Sequence, residues 1–249
     1  MIILNLNGPW MQTTLNLFYK RDFEVEHAYI ITVKGNESSE RYSKRCQLSC
    51  MNVGMPFKVW DAFNGIGPEI TVPDHSTNDS VIGMLKVTDH YLTRGEVACA
   101  LSHISLWIHC AKIDKPIVIL EHDSIMTKKF TSYDSVNSIC YLGGAEWAEQ
   151  GWPIHPTIPP HASEGPNYLF ICRAHAYAID PLLAKNLIAH VLKMGICAPL
   201  DIMMRADLFN ITHQGLFAYD KNMNTTTDTT ILARPPTGRT TERNDRLQK

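Results

Sequence analysis

The chain has 249 residues, 45% apolar and 19% charged, proportions that suit one globular α/β unit or such a unit with small appendages. Lysine and arginine number 23 against 25 acids, and this net charge of −2 argues against nucleic acid or an anionic membrane as an electrostatic partner. No apolar run approaches the ~20 residues that span a bilayer, and the opening MIILNLNGPW lacks the basic segment of a secretory signal. A cytoplasmic location is expected, with peripheral membrane association left open. The seven cysteines (46, 50, 99, 110, 140, 172 and 197) are odd in number and form no CxxC pair, so they read as free thiols in a reducing compartment.

Residues 1–26 read as an N-terminal extension that packs on the sheet, since Phe18, Tyr19 and Phe23 would otherwise be exposed. HAYIITV (27–33) is the first clear strand. The next stretch, 37–54, reads as a helix with acids in its first turn and Gly54 at its end. This strand–loop–helix opening carries neither GxGxxG nor GxxxxGK[ST], so a dinucleotide site and a P-loop are both unsupported. Arg41, Lys44 and Arg45 lie in its first turns, where they either meet a phosphate or form a solvated face. FKVWDAFNG (57–65) suggests a second strand ending at a turn dipeptide, and 66–92 a long irregular loop with one short helix.

Thr93-Arg94-Gly95-Glu96 is a capping box. The helix behind it carries Val97, Ala100, Leu101, Ile104, Trp107, Ile108 and Ala111 at helical spacing, and Asp114-Lys115-Pro116 stops it. Ser102 and His103 sit near that apolar stripe. Next comes PIVILEHD (116–123), in which a β-branched run reads as a buried strand of an α/β sheet. Ligands in such sheets bind beyond the carboxyl ends of strands. Glu121 and Asp123, one residue apart, point the same way if the extended geometry persists. They read either as a divalent-cation site or as ordinary solvated acids at a strand end.

Residues 124–128 read as a strand or turn and 139–142 as a buried strand. Residues 145–166 hold Trp147, Trp152 and five prolines, an exposed loop of the kind that serves as a lid or binds an acceptor. A strand is expected over 168–180, then Asp180-Pro181 as N-cap and first residue of a helix over 182–194. Pro199-Leu200-Asp201 opens a final helix through IMMRADL, and FNITHQGLFAY (209–219) reads as one last strand containing His213. From 222 the chain is a polar tail.

Taken together, SERYSKR, DAFNG, LTRGEVACALSHISLW, IVILEHD, HAYAID and PLD resemble glycosyltransferase family 25, the group of lipooligosaccharide β-glycosyltransferases and collagen galactosyltransferases. The resemblance covers about residues 27–220, and the pairing of GEVACALSHISLW with LEHD is its specific part. It implies a GT-A type fold over 27–221, a Rossmann-like mixed sheet flanked by helices, between the 1–26 extension and the 222–249 tail. It implies transfer of a hexose, galactose foremost, from a UDP-sugar to a glycan or protein hydroxyl, inverting and dependent on Mn2+ or Mg2+. By the same resemblance Glu121, Asp123 and His213 are the metal ligands, and Asp201 is the catalytic base. Lys34, Arg41, Asp61, Ser102 and His103 then contact the donor. His122 stands where the family's acidic motif has a central aspartate. An inactive GT-A-like glycan-binding or scaffold protein is the alternative.

Overall fold

The computed structural model describes residues 25, 27–131, 137–143, 174–205, 208–213 and 217–220. Its elements in chain order are β1 (Ala28–Thr32), α1 (Glu37–Asn52), β2 (Phe57–Asp61), a 3-10 turn at Asp74–Ser76, α2 (Ser80–Met84), α3 (Arg94–Ile113) and β3 (Ile117–Glu121). Then follow β4 (Ser124–Met126), β5 (Ile139–Tyr141), β6 (Ala176–Ile179), α4 (Pro181–Met194), α5 (Leu200–Met203), β7 (Ile211–His213) and β8 (Ala218–Asp220). Among the described residues no helix is long and apolar enough to cross a membrane.

Six strands form one mixed sheet in the order β2-β1-β3-β6-β5-β7. β1 runs parallel to both β2 and β3, β6 runs antiparallel to its neighbours β3 and β5, and β7 returns parallel to β5. β4 and β8 pair separately as a two-stranded antiparallel ribbon. An α/β architecture with a mixed sheet and flanking helices is thus present.

The period of two along each strand sorts the core into two layers. Tyr29, Ile31, Ile117, Ile119, Tyr177 and Ile179 pack with Ile104, Trp107, Leu183 and Leu187 of α3 and α4. Ala28, Ile30, Val118, Leu120, Ala176 and Ala178 pack on the other side with Cys46 and Cys50 of α1 and with Met126 and Ala218 of the ribbon. β1 is buried at all five positions and β3 at its first four, Ile117 to Leu120, because both faces are covered.

Local signals start the helices where the sequence places them. Asn36 accepts the N–H of Ser39 at 2.8 Å to cap α1. At α3, Thr93 and Glu96 satisfy each other's backbone N–H groups, a capping box whose N-cap residue contributes ~1 kcal/mol. The Asp180 carboxylate accepts from Leu182 and Leu183 ahead of α4, and its second oxygen accepts from Ser138 N–H at 2.6 Å, tying β5 to the helix start. Burial pushes the Asp180 pKa up, against the pull of those N–H groups.

The last helix opens at Pro199-Leu200 as expected, with Pro199 as its N-cap and no side-chain cap bond, but two expectations are corrected. It ends at Met203, short of the full IMMRADL stretch. FNITHQGLFAY is not one strand. Ile211–His213 joins the main sheet and Ala218–Asp220 joins the ribbon, because its two apolar patches bury against different layers. The 1–26 extension (Val25 apart), the 145–166 loop with Trp147 and Trp152, and the 222–249 tail lie outside the described residues.

Candidate active site

Three parallel strands, β2, β1 and β3, end on the same edge of the sheet, and a cavity of about 100 Å³ opens there. Its walls come from Ile31 and Val33 after β1, residues 62–66 after β2, Gly95 to His103 on one face of α3, and Glu121 to Asp123 after β3. It has room for an ion with several waters. Anything as large as a nucleotide would extend out of it.

Each wall is pinned by side-chain hydroxyls of the helices. Ser102 Oγ accepts the N–H of Phe63 at 2.9 Å while donating to the carbonyl of Ala98. Ser105 Oγ accepts from Trp60 Nε1, also at 2.9 Å. On the other face Ser39 Oγ accepts from Val33 N–H at 2.9 Å. Gly65 abuts the start of α3 so closely that a Cβ there would stand 2.6 Å from the carbonyl oxygen of Arg94. The loop after β2 can therefore close the cavity only with glycine at that position.

The acidic motif divides between the two layers. Glu121 carries on the parity of Ile117 and Ile119 and faces α3, where its Oε1 lies 3.4 Å from His103 Nε2 and 3.9 Å from Cys99 Sγ. His122 carries on the parity of Val118 and Leu120. Its ring is buried, with Nδ1 3.3 Å from Ser39 Oγ and a stacked contact to Tyr42 on α1. Asp123 returns to the cavity. Burial pushes the Glu121 pKa up, but the hydrogen bond and charge of His103, with His175 and His122 behind it, outweigh that and hold the carboxyl below its ordinary range.

His103 is itself held from behind. Its Nδ1 is 2.9 Å from Tyr177 Oη, to which Trp107 Nε1 also donates at 2.9 Å, and all three side chains are fully buried. Cys99 and His103, one helical turn apart, meet Glu121 so that one ligand atom from each lies within 4.8 Å of the others, a group able to hold a metal ion. The Cys99 thiol is pushed well up, by burial first and then by the negative charges of Glu121, Asp201, Asp123 and Glu96.

Of the residues singled out from sequence, Ser102, His103, Glu121 and Asp123 share the cavity wall. Lys34 and Asp61, at the ends of β1 and β2, face each other at 4.0 Å beside it. Arg41 is exposed on α1, its guanidinium 5.3 Å from the centroid of the Tyr42 ring, which in turn stacks on His122. Asp201 stands at the start of α5, outside the cavity wall, within electrostatic reach of Cys99. His213 ends β7, three strands from β3; at ~4.8 Å per strand that is roughly 14 Å across the sheet. The His213 side chain lies outside what the structure describes. Sequence reasoning missed Cys99, Trp107 and Tyr177 as parts of the site. The i, i+4 spacing of Cys99 and His103 on a helix was the available signal for the first.

No curated protein matches the chain. The family described as Glycosyltransferase family 25 (LPS biosynthesis protein) matches residues 25–150, about half of the chain. That span runs from β1 through β5 and includes every residue of the cavity wall. The chain belongs to glycosyltransferase family 25, and the cavity at the ends of β1, β2 and β3 is built wholly from the matched part.

Proposed function

We propose that the protein is a GT-A type hexosyltransferase that moves galactose from UDP-galactose to a hydroxyl of a glycan or protein acceptor, inverting the anomeric centre. The observation that carries this reading is the pair Glu121 and Asp123. Both line a cavity at the carboxyl edge of parallel strands, in a chain of a glycosyltransferase family. Their hard carboxylate oxygens suit Mn2+ or Mg2+, while His213, assigned as a third ligand by the resemblance, stands three strands away at the end of β7. A cation bound there would neutralise the charge that develops on the departing diphosphate. We assign this activity to residues 27–221, with 1–26 and 222–249 as flanking segments.

The chain's own residues supply the rest. Ser102 keeps the 62–66 loop against α3, so the donor meets a preformed wall. His103 fixes the orientation of Glu121. By the family resemblance Lys34 and Arg41 are assigned to the diphosphate and Asp61 to the nucleoside. Asp201 takes the proton of the attacking hydroxyl as it bonds to the anomeric carbon, while the bond to UDP breaks. A GT-A-like scaffold without transfer would draw its support from His122. That ring packs between Ser39 and Tyr42 and leaves both carboxylates in the cavity, which favours the catalytic reading.

UDP release from UDP-galactose, UDP-glucose and UDP-N-acetylglucosamine with Mn2+ tests the proposal. Galactose should be preferred, and Asp201→Asn should lower kcat about 10²- to 10⁴-fold while leaving donor binding in place. Full kcat in that variant removes Asp201 as the base, and no release from any donor removes the transferase reading.

A further inference from the structure

We propose that Cys99, His103 and Glu121 form a site for a borderline-soft divalent ion of the zinc class, chemically distinct from the oxygen site of Glu121 and Asp123. The donor atoms stand close to the separations such an ion needs, and the set would tighten on binding. Around tetrahedral zinc, with bonds of ~2.0–2.3 Å to nitrogen, oxygen and sulfur, neighbouring ligand atoms lie roughly 3.4–3.6 Å apart. His103 Nε2 is 3.4 Å and Cys99 Sγ 3.9 Å from the same Glu121 oxygen, and the set closes within 4.8 Å.

The scaffold is rigid on both sides. Cys99 and His103 share one face of a capped 20-residue helix. Glu121 ends the central strand, its N–H donating to the His175 carbonyl at 2.8 Å. His103 is fully buried and lines the cavity, with its Nε2 3.4 Å from Glu121 Oε1. When Nε2 binds an ion the ring proton sits on Nδ1, 2.9 Å from Tyr177 Oη, which gives the imidazole the outer partner that metal-bound histidines have. Three protein ligands and a fourth position open to the cavity make the pattern of an accessible zinc site rather than a closed structural one.

The surroundings select the ion. Asp123, Asp201 and Glu96 place negative charge around the triad, and no lysine or arginine lines the cavity among the described residues. A thiolate and an imidazole prefer zinc, cobalt or copper over Mn2+ or Mg2+. Binding displaces the thiol proton to solvent, and the ion holds the thiolate in its place.

Cobalt(II) titration of the full chain without nucleotide or sugar tests this. One cobalt per chain should bind with a thiolate-to-cobalt charge-transfer band, and zinc should displace it. Cys99→Ser should abolish the band and weaken zinc by more than the ~100-fold that loss of an outer partner costs, and Tyr177→Phe should weaken it roughly 10- to 100-fold. Cys197→Ser, at an exposed cysteine, should change nothing. A band that is absent in the wild type, or that survives Cys99→Ser, overturns the proposal. Glu121→Gln keeps every thiol and guards against misfolding of the cysteine variant; zinc uptake unchanged in it also overturns the proposal. None of these readouts involves a UDP-sugar, so the zinc site and the transferase reading fail separately.

Discussion

Glu121 and His122 show how one step along a strand changes the chemistry a residue can do. Period-two alternation, visible in IVILEHD, told that Glu121 and Asp123 share a side. It could not tell that the side is α3's, or that His122 turns to Ser39 and Tyr42, because both depend on which helix covers which face. The partners of His103 were hidden for the same reason: Tyr177 lies 74 residues away in sequence. Gly143 gives a residue-scale test. A Cβ there would land on the His175 ring and reach 3.0 Å from Tyr141 Oη, while the His175 carbonyl accepts the N–H of Glu121. Gly143→Ala should therefore destabilise by about 1–3 kcal/mol in urea unfolding. Unchanged stability would mean that His175 moves aside freely.

At the scale of elements, the capping box of α3, the Asp180-Pro181 start of α4 and the apolar β1 and β3 were legible, because each signal is local. The split of FNITHQGLFAY was not. Its residues suit strands in either place, and only the assembled layers decide that Ile211 pairs with Ile139 while Ala218 pairs with Met126. α3 also carries an outer histidine with a measurable consequence. His109 Nε2 is hydrogen-bonded to Tyr29 Oη at 2.8 Å and its ring meets Trp60, with Lys58, His75 and Lys112 nearby. Burial, and then those cationic groups, lower its pKa from the usual 6.5. Below about pH 6.5 the unfolded chain takes up a proton that the folded chain refuses, so stability present above that pH is lost as pH falls toward the folded value. Urea midpoints between pH 7.5 and 5.5 should fall, and His109→Gln should flatten the slope without removing it, because His190 shifts in the same direction. An identical slope in the variant would contradict this.

At the scale of the molecule, the site exists because three connections deliver their loops to one edge of the sheet: β1 to α1, β2 to α3, and β3 to the ribbon. The run of PIVILEHD into two acids named that edge from sequence, and the family motifs lie beside it on α1, α3 and β3. The α4, β6 and β7 side lies outside the matched span, and there the element types were legible from sequence but their partners were not. The central claim is that Glu121 and Asp123 hold a cation that recruits the donor. Thermal unfolding with UDP-galactose, with and without Mn2+, measures it most directly, since a ligand bound only to the folded state at about 100 times its Kd stabilises by ~2.7 kcal/mol. For a chain of this size that is a rise of roughly 5–10 °C in Tm. The rise should require Mn2+ and vanish in Asp123→Ala; an equal rise without Mn2+, or in that variant, would contradict the account.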